Sequence, residues 1–290
     1  EPDQTAPRKS VGAQAHALLI LGLPLLGSHI AQMLISVTDT VMMGWYDVTG
    51  LAALSVAGPI FFIVFITGSG FAWAVTPMVA EALGKSDEQQ VRRITRMGLW
   101  LSIGFGVVVM PPFFFSESIF LWLGQQPEVA SEAGKYMPYL ALGMVPALIV
   151  QVLKSYLSAL ELTRAILIAV LGAALINAFV NYLFIFGNLG APELGIEGAG
   201  LASLFSHMTS MCALLVYALR KKPEHALLKN LHRPDPEVLA QVFRIGVPIG
   251  LTLLAETGLF AASSVLMGWL GTIPLAAHGI ALQITSVSFM

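Results

Sequence analysis

Apolar residues gather along this chain in long blocks separated by short polar stretches. The blocks lie near 15–45, 51–75, 94–115, 130–160, 165–186, 199–219 and 240–270, and an eighth opens near Pro274. About 20 predominantly apolar residues cross a bilayer core as a helix, so each block predicts a membrane span. Pro24, Pro59, Pro138, Pro146 and Pro248 fall inside blocks. Neighbouring groups in a bundle can satisfy the carbonyls a proline frees, and these prolines therefore predict bends rather than helix ends. The predicted fold class is all-α, a polytopic helical membrane protein.

Composition agrees with the pattern. The chain is 56% hydrophobic and 11% charged, far from the make-up of an ordinary soluble domain. Arg8 and Lys9 precede the first block, as in a secretory signal, but an apolar core of about 7–15 residues is expected there. The first block is twice that and reads as a retained span. The single Cys212 offers neither a disulfide framework nor metal-ligand spacing. Nothing in the charge supports nucleic-acid binding, and no cofactor is expected.

Charge also orients the chain. Lys85, Arg92, Arg93 and Arg96 fall between blocks two and three, Lys154 and Arg164 around the turn between four and five, and six basic residues between Arg220 and Arg244. Only Lys135 lies on the opposite set of loops. By the positive-inside rule the N-terminus and the 220–244 stretch are expected in the cytoplasm. Lys154 and Glu161 are expected to be snorkelling charges on one helix.

The stretch 220–236 is basic and broken by Pro223, Pro234 and Pro236, which marks a boundary. A shift of 224 positions places Gly22 and Pro24 on Gly246 and Pro248, and Met43-Gly44-Trp45 on Met267-Gly268-Trp269. The expected organisation is a tail (1–14), a six-helix bundle (15–219), a cytoplasmic linker (220–236) and the start of a second, parallel-repeat bundle (237–290). An even number of helices per unit gives parallel rather than inverted repeats. Because the last block stops at Met290, a C-terminally incomplete second bundle of one to two helices is expected.

Polar groups inside the blocks are the candidate chemistry. Asp39 is the one acid in the first block, about 9 Å from its outer end at 1.5 Å per residue. A carboxylate at membrane depth costs on the order of 3 kcal/mol to insert. It is retained where it is paired, hydrated or used. Its simplest partners are the neighbouring hydroxyls of Thr38 and Thr40. Asn177 and Asn181, four apart, share one face of the fifth block and could serve as helix–helix glue or as partners of Asp39. Glu256 lies mid-span in the seventh block, at the repeat position of Gln32. His29, His207 and His278 have unrelated spacings and read as packing residues. Phe61, Phe62, Phe65, Phe71 and Trp73 make the second block aromatic, suited either to packing or to a ligand wall.

Gly22-Leu23-Pro24, the run Val37-Thr38-Asp39-Thr40-Val41-Met42-Met43-Gly44, Leu160-Glu161-Leu162-Thr163-Arg164, the Asn177/Asn181 pair and Ala255-Glu256 together resemble the multidrug and toxic compound extrusion (MATE) family, bacterial NorM type. The resemblance implies two six-helix bundles around a central cavity and a secondary active antiporter, not an enzyme. It would export organic, mainly cationic compounds in exchange for sodium ions or protons. It implies cation coupling at Asp39, Glu256, Asn177 and Asn181, with sodium possible at Asp39 or Glu256. Gln32, Phe61, Phe62, Phe65 and Gln283 are the corresponding candidates for the substrate cavity, and Pro24 for a hinge. The expected partners are organic cations and the lipid bilayer, and the expected form is a monomer. A flippase for lipid-linked precursors is the alternative on the same fold, although few basic residues lie in the apolar blocks. An intramembrane enzyme or a channel would need metal or acid clusters, or a filter loop, and neither pattern is present.

Overall fold

The computed structural model describes residues 11–229 and 231–270, together with His278, Ala281 and Thr285. Among them are eight α-helices and two short 3-10 turns, and no strand. The helices are α1 (Val11–Tyr46), α2 (Val48–Gly84), α3 (Glu88–Phe114), α4 (Ser116–Trp122), α5 (Pro127–Ala159), α6 (Thr163–Phe184), α7 (Ile196–Lys221) and α8 (Pro236–Leu270). Seven are long and apolar enough to cross a membrane, which matches the seven full blocks of the sequence. The short α4 was not anticipated, and it packs on α5. The eighth predicted span and Gln283 lie outside the described residues, apart from helical His278, Ala281 and Thr285.

Local chemistry sets the helix starts. Asp47 accepts from the Gly50 amide at 2.7 Å and Asp87 from the Gln90 amide at 2.8 Å, each satisfying a donor that a helix N-terminus leaves without a partner. Pro127 begins α5, where its missing N–H costs nothing. The helices extend past the apolar blocks into polar sequence, so Arg92, Arg93 and Arg96 lie on the first turns of α3 rather than in a loop. Pro24 lies within an unbroken α1, and Pro248 within α8.

The packing order is α1 on α6, α6 on α7, α7 on α5 and α5 on α2, with α3 lodged against α2 and α5. Side chains at the crossings are small. On α2 the buried positions include Gly50, Ala53, Ala57, Gly68, Ser69, Gly70, Ala72 and Ala74. Helices in lipid gain no hydrophobic drive toward each other, and small residues let their backbones approach closely enough for dispersion contact. Large apolar side chains such as Leu23, Ile30, Leu34, Ile168 and Leu175 point outward, where acyl chains would cover them.

The first helix after the boundary, α8, docks on α2 and α3. Its contact with α2 is backbone on backbone. A Cβ on Gly70 would sit 2.5 Å from the Gly246 carbonyl oxygen and 2.6 Å from the Gly250 Cα, and one on Gly250 would sit 2.5 Å from the Thr67 carbonyl oxygen. Gly22, the repeat counterpart of Gly246, has open space around it.

The linker is tied to α3 and α5. Arg93 Nε donates to Asp235 Oδ2 at 2.6 Å, Arg96 Nη2 to the Arg233 carbonyl at 2.6 Å, and Trp100 Nε1 to the Leu231 carbonyl at 2.7 Å. Buried His225 meets the Tyr156 hydroxyl through Nδ1 at 2.6 Å. Lys154 and Glu161 do not share a helix. Glu161 sits in the turn beyond α5 with φ of 59°, and Lys154 is half-buried, within electrostatic reach of His29 and His207. The snorkelling expectation is therefore corrected: the α5–α6 turn interrupts the helix, and the ammonium faces the bundle.

Candidate functional site

Asp39 is 6% exposed, and its hydrogen-bond partners are not its neighbours in sequence. Asn181 Nδ2 donates to Asp39 Oδ1 at 2.6 Å, Asn177 Nδ2 donates to the same oxygen at 3.0 Å, and Ser203 Oγ approaches Oδ2 at 3.4 Å. Asn181 Nδ2 also reaches Asn177 Oδ1 at 3.2 Å. The two asparagines are fully buried, and the i, i+4 spacing on α6 presents both amides to α1. Thr40, the expected local partner, instead donates to the Ser36 carbonyl of its own helix at 2.8 Å.

The site draws on four helices: Asp39 from α1, the asparagines from α6, Ser203 from α7, and the buried Tyr136 of α5, whose hydroxyl interacts with Ser203. Ser203 and Tyr136 were missed in the sequence. A signal for Ser203 exists, since Ser203, Ser206 and Ser210 form a buried stripe along α7. Tyr136 has none, because one tyrosine in an apolar block looks like packing. Asn181 Oδ1 is buried and has no hydrogen-bond partner among the described residues. A buried acceptor without a donor costs about 1–3 kcal/mol.

Three faces run along α1. Ser28, Ala31, Asp39 and Met43 are buried, Ile30, Leu34, Val37 and Val41 form an exposed apolar stripe, and His29, Gln32, Ser36 and Thr40 form an exposed polar one. Gln32, seven residues before Asp39 and so on nearly the same side of α1, is exposed where Asp39 is buried. Phe61 and Phe65 stack on each other at 6.1 Å and face inward, Phe61 also meeting Phe113 and His207, each at 6.4 Å. Phe62 points the other way and is 50% exposed. The three phenylalanines grouped from sequence therefore do not form one wall, because adjacent helical positions diverge by about 100°. Glu256 is exposed on α8, away from the Asp39 cluster. His278 pairs with Ser263 at 3.2 Å, and His207 packs on Phe61.

A carboxylate enclosed by amides and hydroxyls inside a bundle of membrane-length helices defines a multi-pass helical membrane protein with an ionisable site at membrane depth. The chain belongs to the MatE family, whose model matches residues 24–183. It is 45% identical over 277 residues to a probable multidrug resistance protein NorM of Rhizobium meliloti (strain 1021), covering 94% of this chain and 59% of that protein. A protein of the same name from Agrobacterium fabrum is 40% identical, with 99% and 63% covered. The chain thus spans about three fifths of the length of these relatives. Among solved structures, an outward-facing multidrug resistance MATE family transporter of the MOP superfamily superposes with a TM-score of 0.80 at 21% identity, over 93% of this chain and 60% of that one. The eukaryotic MATE transporter AtDTX14 gives 0.80 at 18% identity, over 95% and 61%. These two establish a shared fold. Both relatives are named as probable multidrug resistance proteins.

Proposed function

We propose that the protein is a secondary active antiporter of a bacterial inner membrane, exporting organic, mainly cationic compounds in exchange for sodium ions or protons. The observation that carries this reading is the enclosure of Asp39 by Asn177, Asn181 and Ser203 at membrane depth. An acid inside a membrane bundle that meets no cationic side chain among the described residues needs a countercharge from elsewhere, and a proton, a sodium ion or a cationic substrate each supplies one. Occupancy by one excludes the others. That competition couples two opposite movements, provided that the empty, charged site resists the switch between inward-facing and outward-facing forms.

The unpartnered Asn181 oxygen supports a sodium ion as one occupant. Glu256 is the corresponding candidate in the second bundle, and the polar face of α1 that holds Gln32 is suited to an aqueous cavity, since lipid would leave its groups unsatisfied. Phe61, Phe65 and the outward Phe62 are candidate aromatic surfaces for delocalised cations, and Pro24 is a candidate hinge. The working form is proposed to be a monomer.

The experiment is dye efflux from inverted vesicles holding the full-length protein, driven by a proton pulse or a sodium pulse. Asp39→Asn preserves shape and should abolish efflux driven by either ion. Wild-type rates in a correctly inserted Asp39→Asn protein would reject the coupling role.

A further inference from the structure

A second site lies at the opposite end of the bundle, where four arginines line one open cavity. Arg92, Arg93, Arg96 and Arg233 line a space of about 330 Å³ together with Gln89 and a single carboxylate, Asp235. That carboxylate is already engaged. Its Oδ2 accepts from Arg93 at 2.6 Å, and its Oδ1 accepts from the Val238 amide at 3.4 Å, capping α8. Glu237, 3.7 Å from Arg93 Nη2, adds a second contact to the same arginine. Arg96 spends one nitrogen on the Arg233 carbonyl. Arg92 and Arg233 have no carboxylate within ion-pair distance among the described residues. Four arginines thus line the site with one carboxylate among them, and the nearest further acids, Glu237 and Asp87, act on Arg93.

Depth supplies the second part of the argument. Trp100, on the same helix, donates its indole N–H to the Leu231 carbonyl, and its ring is exposed at the side. Tryptophan favours the boundary between acyl chains and headgroups. Arg96, Arg93 and Arg92 precede it by four to eight residues, about 6–12 Å along the helix, which is headgroup level. Guanidinium forks match phosphate oxygens in geometry as well as charge.

We propose that this cavity binds the phosphate group of an anionic phospholipid, with Arg92 and Arg233 as its main ligands. A phosphate held there bridges α3 and the linker, adding to the Arg93–Asp235 tie between the first six spans and α8. The shared chemistry is a phosphate anion, which a headgroup or a soluble phosphate could supply, and the headgroup depth favours the lipid.

The test is a binding titration of the purified full-length protein in detergent, using fluorescent short-chain phosphatidylglycerol, the matching phosphatidylcholine, and inorganic phosphate as competitor. Phosphatidylglycerol should bind more tightly than phosphatidylcholine, and Arg92→Gln and Arg233→Gln should each weaken it about fivefold, the worth of one basic residue at a membrane surface. Arg92→Lys, which keeps the charge and loses the fork, should bind more weakly than the wild type and more tightly than Arg92→Gln. Arg220→Gln, outside the cavity, should leave it unchanged. Equal binding of the two lipids, or losses in Arg92→Gln and Arg233→Gln no larger than in Arg220→Gln, would overturn the site. Displacement of the lipid by millimolar inorganic phosphate would overturn the lipid assignment in favour of a soluble anion. Unaltered thermal midpoints in the variants separate lost binding from lost folding.

Discussion

Asn181 and Asp39, 142 positions apart in sequence, meet at 2.6 Å, closer than the 3.0 Å between Asn177 and the same carboxylate oxygen. The two amides are not equivalent. Asn181 bridges Asp39 and Asn177 through Nδ2 and keeps a buried oxygen without a partner, whereas the Asn177 oxygen is already taken.

That asymmetry predicts different losses on truncation. Asn181→Ala should cost more in sodium-driven efflux than Asn177→Ala, since it removes both the shorter bond and the open oxygen. A hydrogen bond to a charged group is worth about 1.5–3 kcal/mol, and each variant should also unfold earlier in a thermal melt. Equal transport defects in the two variants would show that the open oxygen contributes nothing.

At the crossing of α2 and α8 the prediction is steric. Gly70→Ala places a methyl group against the Gly246 oxygen and the Gly250 Cα, at separations that backbone atoms cannot tolerate. The helices must separate, at a cost of about 1–3 kcal/mol typical of overpacking. Cross-linking of cysteines at the Phe71 and Phe243 positions, whose rings stack across the same crossing at 5.9 Å, with a short bifunctional thiol reagent should become slower in Gly70→Ala than in Gly22→Ala, where nothing lies within 4 Å.

The linker carries a pH dependence through His225. Burial holds its imidazole below the usual histidine range, outweighing the opposing pull of Glu224 and Glu88. A neutral imidazole buried in the fold stabilises it fully above the unfolded value of about 6.5. That contribution is lost as pH falls from there through the lowered folded value. The melting temperature should therefore drop more between pH 7.5 and 5.5 in the wild type than in His225→Gln. Parallel pH profiles would show that the His225–Tyr156 contact does not depend on the neutral ring. Asp235, held below the usual carboxylate range chiefly by Arg93, should keep its clamp throughout that interval.

For orientation, the segregation of basic residues predicts that a cysteine at Asn188 is labelled from outside intact cells and one at Lys229 only after permeabilisation. The reverse pattern would invert the topology.

Span number and helical class were legible in the sequence because both follow from a one-dimensional quantity: about twenty apolar residues cross a bilayer whatever their neighbours. Asp39, Asn177 and Asn181 could be picked out for a similar reason, since the cost of a polar side chain at membrane depth is a property of the residue and its depth. What the sequence by itself could not determine was which polar group satisfies which. Thr40 and Thr38 were the near partners of Asp39, yet the carboxylate points away from them toward α6 and α7, because its position on α1 falls on the packed face. Ser203, Tyr136 and the separation of Phe62 from Phe61 and Phe65 were decided only in three dimensions. So was the gathering of Arg92, Arg93, Arg96 and Arg233, which in sequence is two short basic clusters more than 130 residues apart. Hydropathy fixes how deep a residue sits. The rotation of each helix about its axis, set by packing against its neighbours, fixes what that residue meets.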